Sequence, residues 1–379
     1  MTALLAGVYR AAQCHKMAQL IGKNCGFFRI FACLDALRLF SEHESSFNDQ
    51  TMKHDRQLLF LVGINLMVLA VGAFISKGAF VDPYNLQSMA GQLPELGFLA
   101  IGVMLAMSSG NGGIDLSGIA LANLAGVTSA TLVAGWVSTD EAPALFTFLF
   151  IGTALCVGLA GGVFNGLLIA KLGLTPILCT LGTQLLYTGL AVVVSGGPSV
   201  RVGSAEPLMT IGSGLLLGVP ISFLIFGVVA LVVGMLLKFS PFGIRLFLMG
   251  TNPKAALYAG FSQTKLLVTT YGLSGLLAAL AGVLIASRNV NVKWDYGQSY
   301  LLIAILITVM AGVKPEGGYG RMICLFLSAT ALQLLSSMLN FANFSNFFRD
   351  CAWGLLLLIF LAISRIDVRN FFRHRAQPV

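Results

Sequence analysis

Charged side chains are scarce in this 379-residue sequence, of which only 10% is Asp, Glu, Lys or Arg while 57% is hydrophobic. Soluble domains carry about a quarter charged residues, so this chain has too little polar surface to cover a water-soluble globule. A lipid bilayer can solvate such a chain, provided that every backbone N–H and C=O group is paired within a helix or a closed barrel. The shortage of charge therefore indicates an integral membrane protein.

Sequence motifs for catalysis and metal binding are missing as well. The chain contains no phosphate-binding GxxxxGK[ST] sequence, no HExxH and no GxSxG. Its seven cysteines have no CxxC or CxxH spacing, which is typical of small apolar packing residues rather than of a metal site or a disulfide framework. We predict no catalytic residue, no metal ligand and no cofactor, so any work that the protein does draws energy from a partner or an ion gradient.

The apolar residues form long runs without alternation. A spanning helix needs about 20 mostly apolar residues, whereas a barrel strand needs about 10 with a period of two. We therefore predict an all-α fold, a polytopic transmembrane helix bundle of about ten helices. The predicted spans are residues 58–75, 93–107, 116–137, 145–170, 173–194, 215–237, 266–286, 301–313, 322–341 and 352–364.

Basic residues are distributed unequally between the two sides of this predicted bundle. If the chain enters the membrane from the cytoplasm before residue 58, 13 of the 18 Lys and Arg residues beyond position 51 are cytoplasmic. This asymmetry matches the positive-inside rule, and omission of one span would remove it. We predict an even number of crossings and both termini in the cytoplasm. The net charge of +8 then reflects topology and contact with membrane lipid, and no nucleic-acid partner is expected.

The first 51 residues contain no apolar stretch long enough to span a membrane or to form the core of a signal peptide. Two interpretations stay open for residues 1–51. They form a cytoplasmic N-terminal arm, or they are an extension that is not translated because the protein starts at Met52. Residues 52–379 form the transmembrane domain in either case.

Glycine is abundant, with 43 residues scattered through the apolar runs, which predicts helices packed closely through small side chains. Two predicted spans, 93–107 and 301–313, are short, and each is followed by a glycine-containing polar turn at residues 108–117 and 312–321. Both run in the same direction, which predicts a duplication into two parallel-repeat halves. Paired short helices are a recurrent sign of a translocation path.

The first of these turns carries a carboxylate, in the sequence NGGIDLS at residues 111–117. Burial of an unpaired charge is costly, so we expect Asp115 to bind backbone N–H groups of the turn and to cap the next helix, or to contact a solute directly. Polar residues within the spans include Asn65, Asn123, Asn165, Thr183, Gln184, Ser274, Gln333 and Asn340. The candidates for lining a translocation path are Asn111, Asp115, Ser117, Asn123, Asn165 and Gln184.

A long cytoplasmic loop contains the sequence GTNPKAALYAG at residues 250–260, which predicts a complete short helix. Asn252 is its cap, Pro253 occupies its first position and Gly260 ends it. Such a helix either receives force from a partner protein or only connects two spans. The candidates for coupling to a partner are Asn252, Pro253, Lys254, Ala255, Ala256, Leu257 and Gly260.

Four ordered segments resemble the ribose-type monosaccharide permeases of bacterial ABC importers. They are GGIDLS at residues 112–117, FNGLLIAKLGLTPILCTLGT at 164–183, FGIRLFLMGTNPKAALYAGF at 242–261 and LSGLLAALAGVLIASR at 273–288. The resemblance covers residues 56–365. It implies a bacterial inner-membrane protein that works with an ABC ATP-binding subunit, a periplasmic or lipoprotein sugar-binding protein, and a second permease subunit, identical or paralogous.

The resemblance implies that residues 52–379 are a permease domain, which translocates a monosaccharide or a related small polar solute by alternating access while a partner hydrolyses ATP. It also implies that residues 250–260 couple to that partner. A branched-chain amino acid or nucleoside ABC permease and a stand-alone ion-coupled carrier are the alternatives. The family commonly has DLSVG where residues 115–118 read DLSG, and a Gly-Gly-Thr/Ser turn where residues 312–320 read GVKPEGGYG. The solute therefore cannot be taken from any one relative.

Overall fold

A computed structural model of the chain describes residues 57–365. In this part of the chain, thirteen α-helices, a short 3-10 helix at Ala79–Val81 and four two-residue strands make up the regular structure. In chain order they are α1 (Gln57–Ile75), α2 (Pro83–Ser108), α3 (Gly118–Ala134), α4 (Pro143–Leu172), α5 (Pro176–Ser195), β1 (Val200–Arg201), α6 (Glu206–Ser213), β2 (Leu215–Leu216), β3 (Val219–Pro220), α7 (Ile221–Phe239), α8 (Pro241–Thr251), α9 (Pro253–Tyr258), α10 (Gln263–Asn289), β4 (Asn291–Val292), α11 (Tyr300–Met310), α12 (Met322–Phe341) and α13 (Asn346–Arg365).

The predicted helical bundle is confirmed. Seven of the described helices, α1, α2, α4, α5, α7, α10 and α12, are long and apolar enough to cross a membrane, and α3 and α11 are shorter apolar helices. Together with α13, they correspond one to one with the ten predicted spans. The chain is therefore a multi-pass membrane protein. Its division into two parallel-repeat halves stays a prediction, and the predictions for residues 1–51 lie outside the described residues.

The first of the two spans predicted to be short is in fact a long helix. Helix α2 has 26 residues and begins at Pro83, where the Asp82 side chain accepts a hydrogen bond from Tyr84 N at 2.9 Å. Polar residues in its first turns hid this part of the helix from a hydropathy pattern. Two of them are satisfied by the protein itself, since Asn85 donates to Phe80 O and Gln87 donates to Gly218 O. Helix α11, with 11 residues, is short as predicted.

Close packing through glycine, also predicted, holds the centre of the bundle together. Gly158, Gly162 and Gly166 follow one another at four-residue spacing along the face of α4 that contacts α10. A Cβ atom at Gly158 would overlap Gly275 O, and one at Gly162 would overlap Tyr271 O. The two helix backbones therefore touch, which brings the polar residues of α4 within reach of α3, α5 and α10.

The loops meet at the two ends of the bundle. At one end, β1 pairs antiparallel with β4, with Val200 opposite Val292, and the indole of Trp294 donates to Gly197 O. At the other end, the loops that follow α2 and α11 contact the last turn of α8. These two loops and the connection that contains α8 were all predicted to be cytoplasmic.

Candidate functional site

The Asp115 carboxylate is buried between helices, with only 2% of the residue exposed. Its Oδ1 accepts hydrogen bonds from Ser117 N at 3.0 Å and from Ser117 Oγ at 2.7 Å. Its Oδ2 accepts one from Ser274 Oγ, which lies on α10, at 2.6 Å. Three donors from the protein thus satisfy the carboxylate, which offsets the cost of removing it from water.

Asp115 does not cap helix α3, so that prediction is wrong. The helix starts at Gly118 and its N-cap residue is Ser117. Asp115 precedes the cap by two residues, where one oxygen reaches the Ser117 backbone and the other turns across to α10. The predicted contact with a backbone N–H group is confirmed at Ser117, whereas the bond to Ser274 depends on a contact between helices that no local pattern reveals.

A chain of hydrogen bonds extends this network into α4 and α5. The Asn165 amide on α4 donates to Ser117 Oγ at 2.8 Å. The Tyr187 hydroxyl on α5 lies 2.8 Å from Gly161 O and 3.3 Å from Asn165 Oδ1. The network therefore ties the start of α3 to α4, α5 and α10. Sequence reasoning missed Tyr187 entirely and named Ser274 only as one of eight polar residues within the spans.

A small cavity of about 10 Å³ lies beside Asp115 and Ser274. Apolar residues of α2, α3, α10 and α11 form the rest of its lining, Leu99 and Leu301 among them. A space of this size holds about one water molecule. Nothing larger than a water molecule fits there, so passage of a larger solute beside Asp115 requires movement of these helices.

The six path candidates lie in different environments. Asp115, Ser117 and Asn165 are brought together, as described above. Asn111 is exposed in the loop before them, with φ 56°. Asn123 lies further along α3 and donates to Trp294 O at 3.1 Å and to Tyr296 O at 2.9 Å. Gln184 is half-buried on α5. A role for any of them in a path stays a prediction.

A second buried charge was not singled out by the sequence reasoning. Glu95, on α2, is 1% exposed, and its Oε1 accepts a hydrogen bond from Arg288 Nη1 at 3.0 Å. The Tyr300 hydroxyl lies 3.5 Å from Glu95 Oε2. An ionisable residue inside a predicted span was a usable signal, because such residues are rare and usually functional. The pair connects α2 with the end of α10 and the start of α11.

The predicted short helix is present as α9. The Asn252 side chain accepts from Ala255 N at 3.0 Å, Pro253 is the first residue, and Gly260 follows the end with φ 80°. Ala256 is buried, whereas Leu257 is 60% and Tyr258 91% exposed. Lys254 and Ala255 are exposed too. Helix α9 thus presents a mixed apolar and basic surface outward, and its local structure, though not its role, is confirmed.

Tyr319, in the loop after α11, has a hydroxyl group whose pKa is shifted by its surroundings. Burial raises the pKa of the Tyr319 hydroxyl to about 12, and the nearby Arg321 lowers it only in part. Tyr319 is therefore neutral at physiological pH. Among residues 57–365, no group of three or more His, Cys, Asp or Glu side chains is arranged to hold a metal ion.

These features define a class of protein: a multi-pass helical bundle with a buried polar network and an exposed short helix. Residues 85–363 match the protein family described as "Branched-chain amino acid transport system / permease component". The chain belongs to this family of ABC transporter permeases.

Individual relatives make the resemblance more specific. The ribose import permease protein RbsC of Bacillus subtilis (strain 168) is 32% identical over 80% of this chain and 91% of the relative. The L-arabinose transport system permease protein AraH of Escherichia coli (strain K12) is 29% identical over 79% and 89%. The autoinducer 2 import system permease protein LsrD of Enterobacter sp. (strain 638) is 29% identical over 85% and 98%. The resemblance to ribose-type ABC importer permeases is thereby confirmed.

Proposed function

We propose that this chain is the membrane-spanning permease subunit of an ATP-driven importer, and that it translocates a monosaccharide or a related small polar solute by alternating access. The observation that carries the proposal is helix α9, a capped and exposed helix in a chain that has no ATP-binding motif of its own. A permease of this kind needs a surface on which an ATP-hydrolysing partner can push. Leu257 and Tyr258 provide apolar contact area and Lys254 a positive charge.

The arrangement of the loops supports a cytoplasmic position for α9. Gly110, Gly250 and Gly317 belong to three connections between spans that the basic residues assign to the cytoplasm, and they lie against one another. Four predicted spans separate Gly110 from Gly250 and two separate Gly250 from Gly317, and these even numbers of crossings agree with a contact on one side of the membrane. The basic residues support a cytoplasmic location for this side and for both termini, and the bacterial relatives support an inner membrane.

The names of the relatives support a sugar as the solute, since RbsC imports ribose and AraH transports L-arabinose. A branched-chain amino acid is the second candidate because the family description names that solute class. In either case the chain works with an ATP-binding subunit on the α9 side, a solute-binding protein on the opposite side, and a second permease subunit.

Reconstitution into liposomes tests the proposal. The complex that co-purifies with the chain is assayed for uptake of radiolabelled ribose, arabinose and leucine, with ATP inside or outside the vesicles. We expect uptake only when ATP is on the α9 side and the solute-binding protein is on the other. Uptake by the chain alone under an ion gradient would instead identify a secondary carrier.

A double substitution on α9, Lys254→Glu with Leu257→Asp, tests the coupling surface. We expect it to preserve membrane insertion while uptake is lost, because a negative, polar surface replaces the basic and apolar one. Lys77→Glu with Leu217→Asp is the matched control for membrane insertion and folding, since it makes the same changes at two exposed positions at the opposite end of the bundle. Normal uptake by the α9 variant would remove α9 from the coupling surface.

A further inference from the structure

Four glycines form a compact contact, which we call the glycine joint: Gly110 in the loop after α2, Gly250 in the last turn of α8, and Gly317 and Gly318 in the loop after α11. A Cβ atom at Gly250 would overlap both Ser108 O and Gly318 N. One at Gly317 would overlap the Gly110 backbone, and one at Gly110 would lie 2.8 Å from Gly250 Cα. The three backbones touch directly, with no room for a side chain between them.

Hydrogen bonds between backbones fix two of the loops to each other. Gly318 N donates to Ser108 O at 3.1 Å, and Gly112 N donates to Pro315 O at 3.1 Å. The Ser108 hydroxyl lies 3.4 Å from Tyr319 O. These bonds join the turn of residues 108–117, which carries Asp115, to the turn of residues 312–321.

The last turn of α8 connects the joint to α9. Gly250 precedes Asn252, the N-cap of α9, by only two residues, and Thr251 between them is the last residue of α8. Consecutive Cα atoms are about 3.8 Å apart, so no slack linker separates α9 from the joint. A Cβ atom at Gly318 would overlap Thr251 Cγ2, so no side chain fits between these two residues either.

We propose that the glycine joint is a rigid connection through which displacement of α9 moves the ends of α2 and α11 together, and that its four glycines are positioning residues for transport. The inference rests on the proposed function, because it requires a partner that pushes α9. Close-packed contacts shift between discrete arrangements instead of deforming continuously. The contacts between Gly110, Gly250 and Gly317 have no side-chain rotamers to absorb a push, so the push reaches the loop that holds Asp115, and through Asp115 it reaches Ser274 on α10.

The first experiment adds a methyl group at the centre of the joint, through the substitution Gly250→Ala in the reconstituted complex. We expect uptake to fall by about tenfold, a typical size for a lost coupling between sites, while the assembled complex continues to hydrolyse ATP. The ratio of solute moved to ATP hydrolysed is the readout, since loss of folding alone would lower both together. Gly227→Ala is the matched control because a Cβ atom at this helical glycine meets nothing within 4 Å. An unchanged ratio in the Gly250→Ala complex would overturn the proposal.

The second experiment decides the question even if the Gly250→Ala complex does not assemble. Ser108→Cys combined with Gly320→Cys places two thiols across the joint, since a Cβ atom at Gly320 would lie 3.0 Å from Ser108 Oγ, close enough for a disulfide. A rigid joint tolerates this link, so uptake after oxidation should match uptake after reduction, with the link verified by mass spectrometry. Loss of uptake on oxidation, restored by reductant, would mean that the loops move apart during transport and would overturn the proposal.

Failure of the joint and failure of the proposed function give different results. An unsubstituted complex that shows no ATP-driven uptake overturns the proposed function, and the joint with it. An unsubstituted complex that transports normally, together with a Gly250→Ala complex that transports equally well, overturns the joint alone.

Discussion

The Asp115 carboxylate accepts a 2.6 Å hydrogen bond from the hydroxyl of Ser274, which lies 159 residues further along the chain. This bond connects the turn before α3 to the middle of α10, the helix whose backbone lies against α4. The position of a buried charge and the packing of the central helices are therefore linked, and each is open to test by substitution.

Ser274→Ala should destabilise the protein. The variant leaves Asp115 Oδ2 without its donor in a buried site, which costs about 1–3 kcal/mol. Ser129→Ala is a matched control, because Ser129 is also fully buried but its hydroxyl has no hydrogen-bond partner among the described residues. Thermal unfolding in detergent should show a lower midpoint for Ser274→Ala alone. Equal midpoints for the two variants would contradict the role given to this bond.

Two buried tyrosines should respond differently to loss of their hydroxyl groups. Tyr187→Phe removes the 2.8 Å bond to Gly161 O, which should cost about 0.5–1.5 kcal/mol. Tyr271→Phe should be neutral or stabilising, since the Tyr271 hydroxyl is buried and has no partner among the described residues. Midpoints of thermal unfolding for the two variants, each against the unsubstituted protein, provide the comparison. The reverse order would show that the hydroxyl network is assigned wrongly.

The Glu95–Arg288 pair should be more sensitive to loss of the arginine than to loss of the carboxylate. Arg288→Leu leaves a carboxylate that is only 1% exposed without its cation, whereas Glu95→Gln leaves an arginine that is 33% exposed and can reach water. Because the Arg288 side chain is partly exposed, the pair is not fully buried. We therefore expect Arg288→Leu to lower the free energy of unfolding by less than the roughly 3–5 kcal/mol typical of fully buried pairs. The double variant should recover part of that loss. A double-mutant cycle on unfolding free energies measures the coupling, and a value of zero would contradict the pairing.

Alanine at two glycines of α4 should have opposite effects on stability. Gly162→Ala pushes a methyl group into the backbone of α10 and should cost about 1–3 kcal/mol. Gly152→Ala meets nothing within 4 Å and should stabilise α4 by up to about 1 kcal/mol, because glycine is a poor helix former. Thermal unfolding of both variants is the measurement. Tolerance of Gly162→Ala would mean that α4 and α10 are less tightly packed than the structure indicates.

Several features could be predicted because local chemistry controls them. The lack of charge indicated the membrane, and the apolar runs located ten of the thirteen described helices. The order Asn252, Pro253 and Gly260 predicted α9 correctly, since a cap, a helix-starting proline and a terminating glycine act within a few residues. The same hydropathy reasoning failed at the start of α2, where Asn85 and Gln87 make a helical segment look polar although the protein satisfies both side chains.

The sequence by itself thus determined the class of protein, the membrane-spanning helices and the short helix α9, because composition and short-range interactions decide these features. Only the tertiary structure decided that Asp115 binds Ser274, that Glu95 binds Arg288 and that Gly110, Gly250 and Gly317 touch. Each of these contacts joins residues more than 60 positions apart in the sequence. Each depends on which helix faces pack together. Hydropathy indicates that a helix is apolar, but in lipid it does not distinguish the face that meets a neighbouring helix from the face that meets the bilayer.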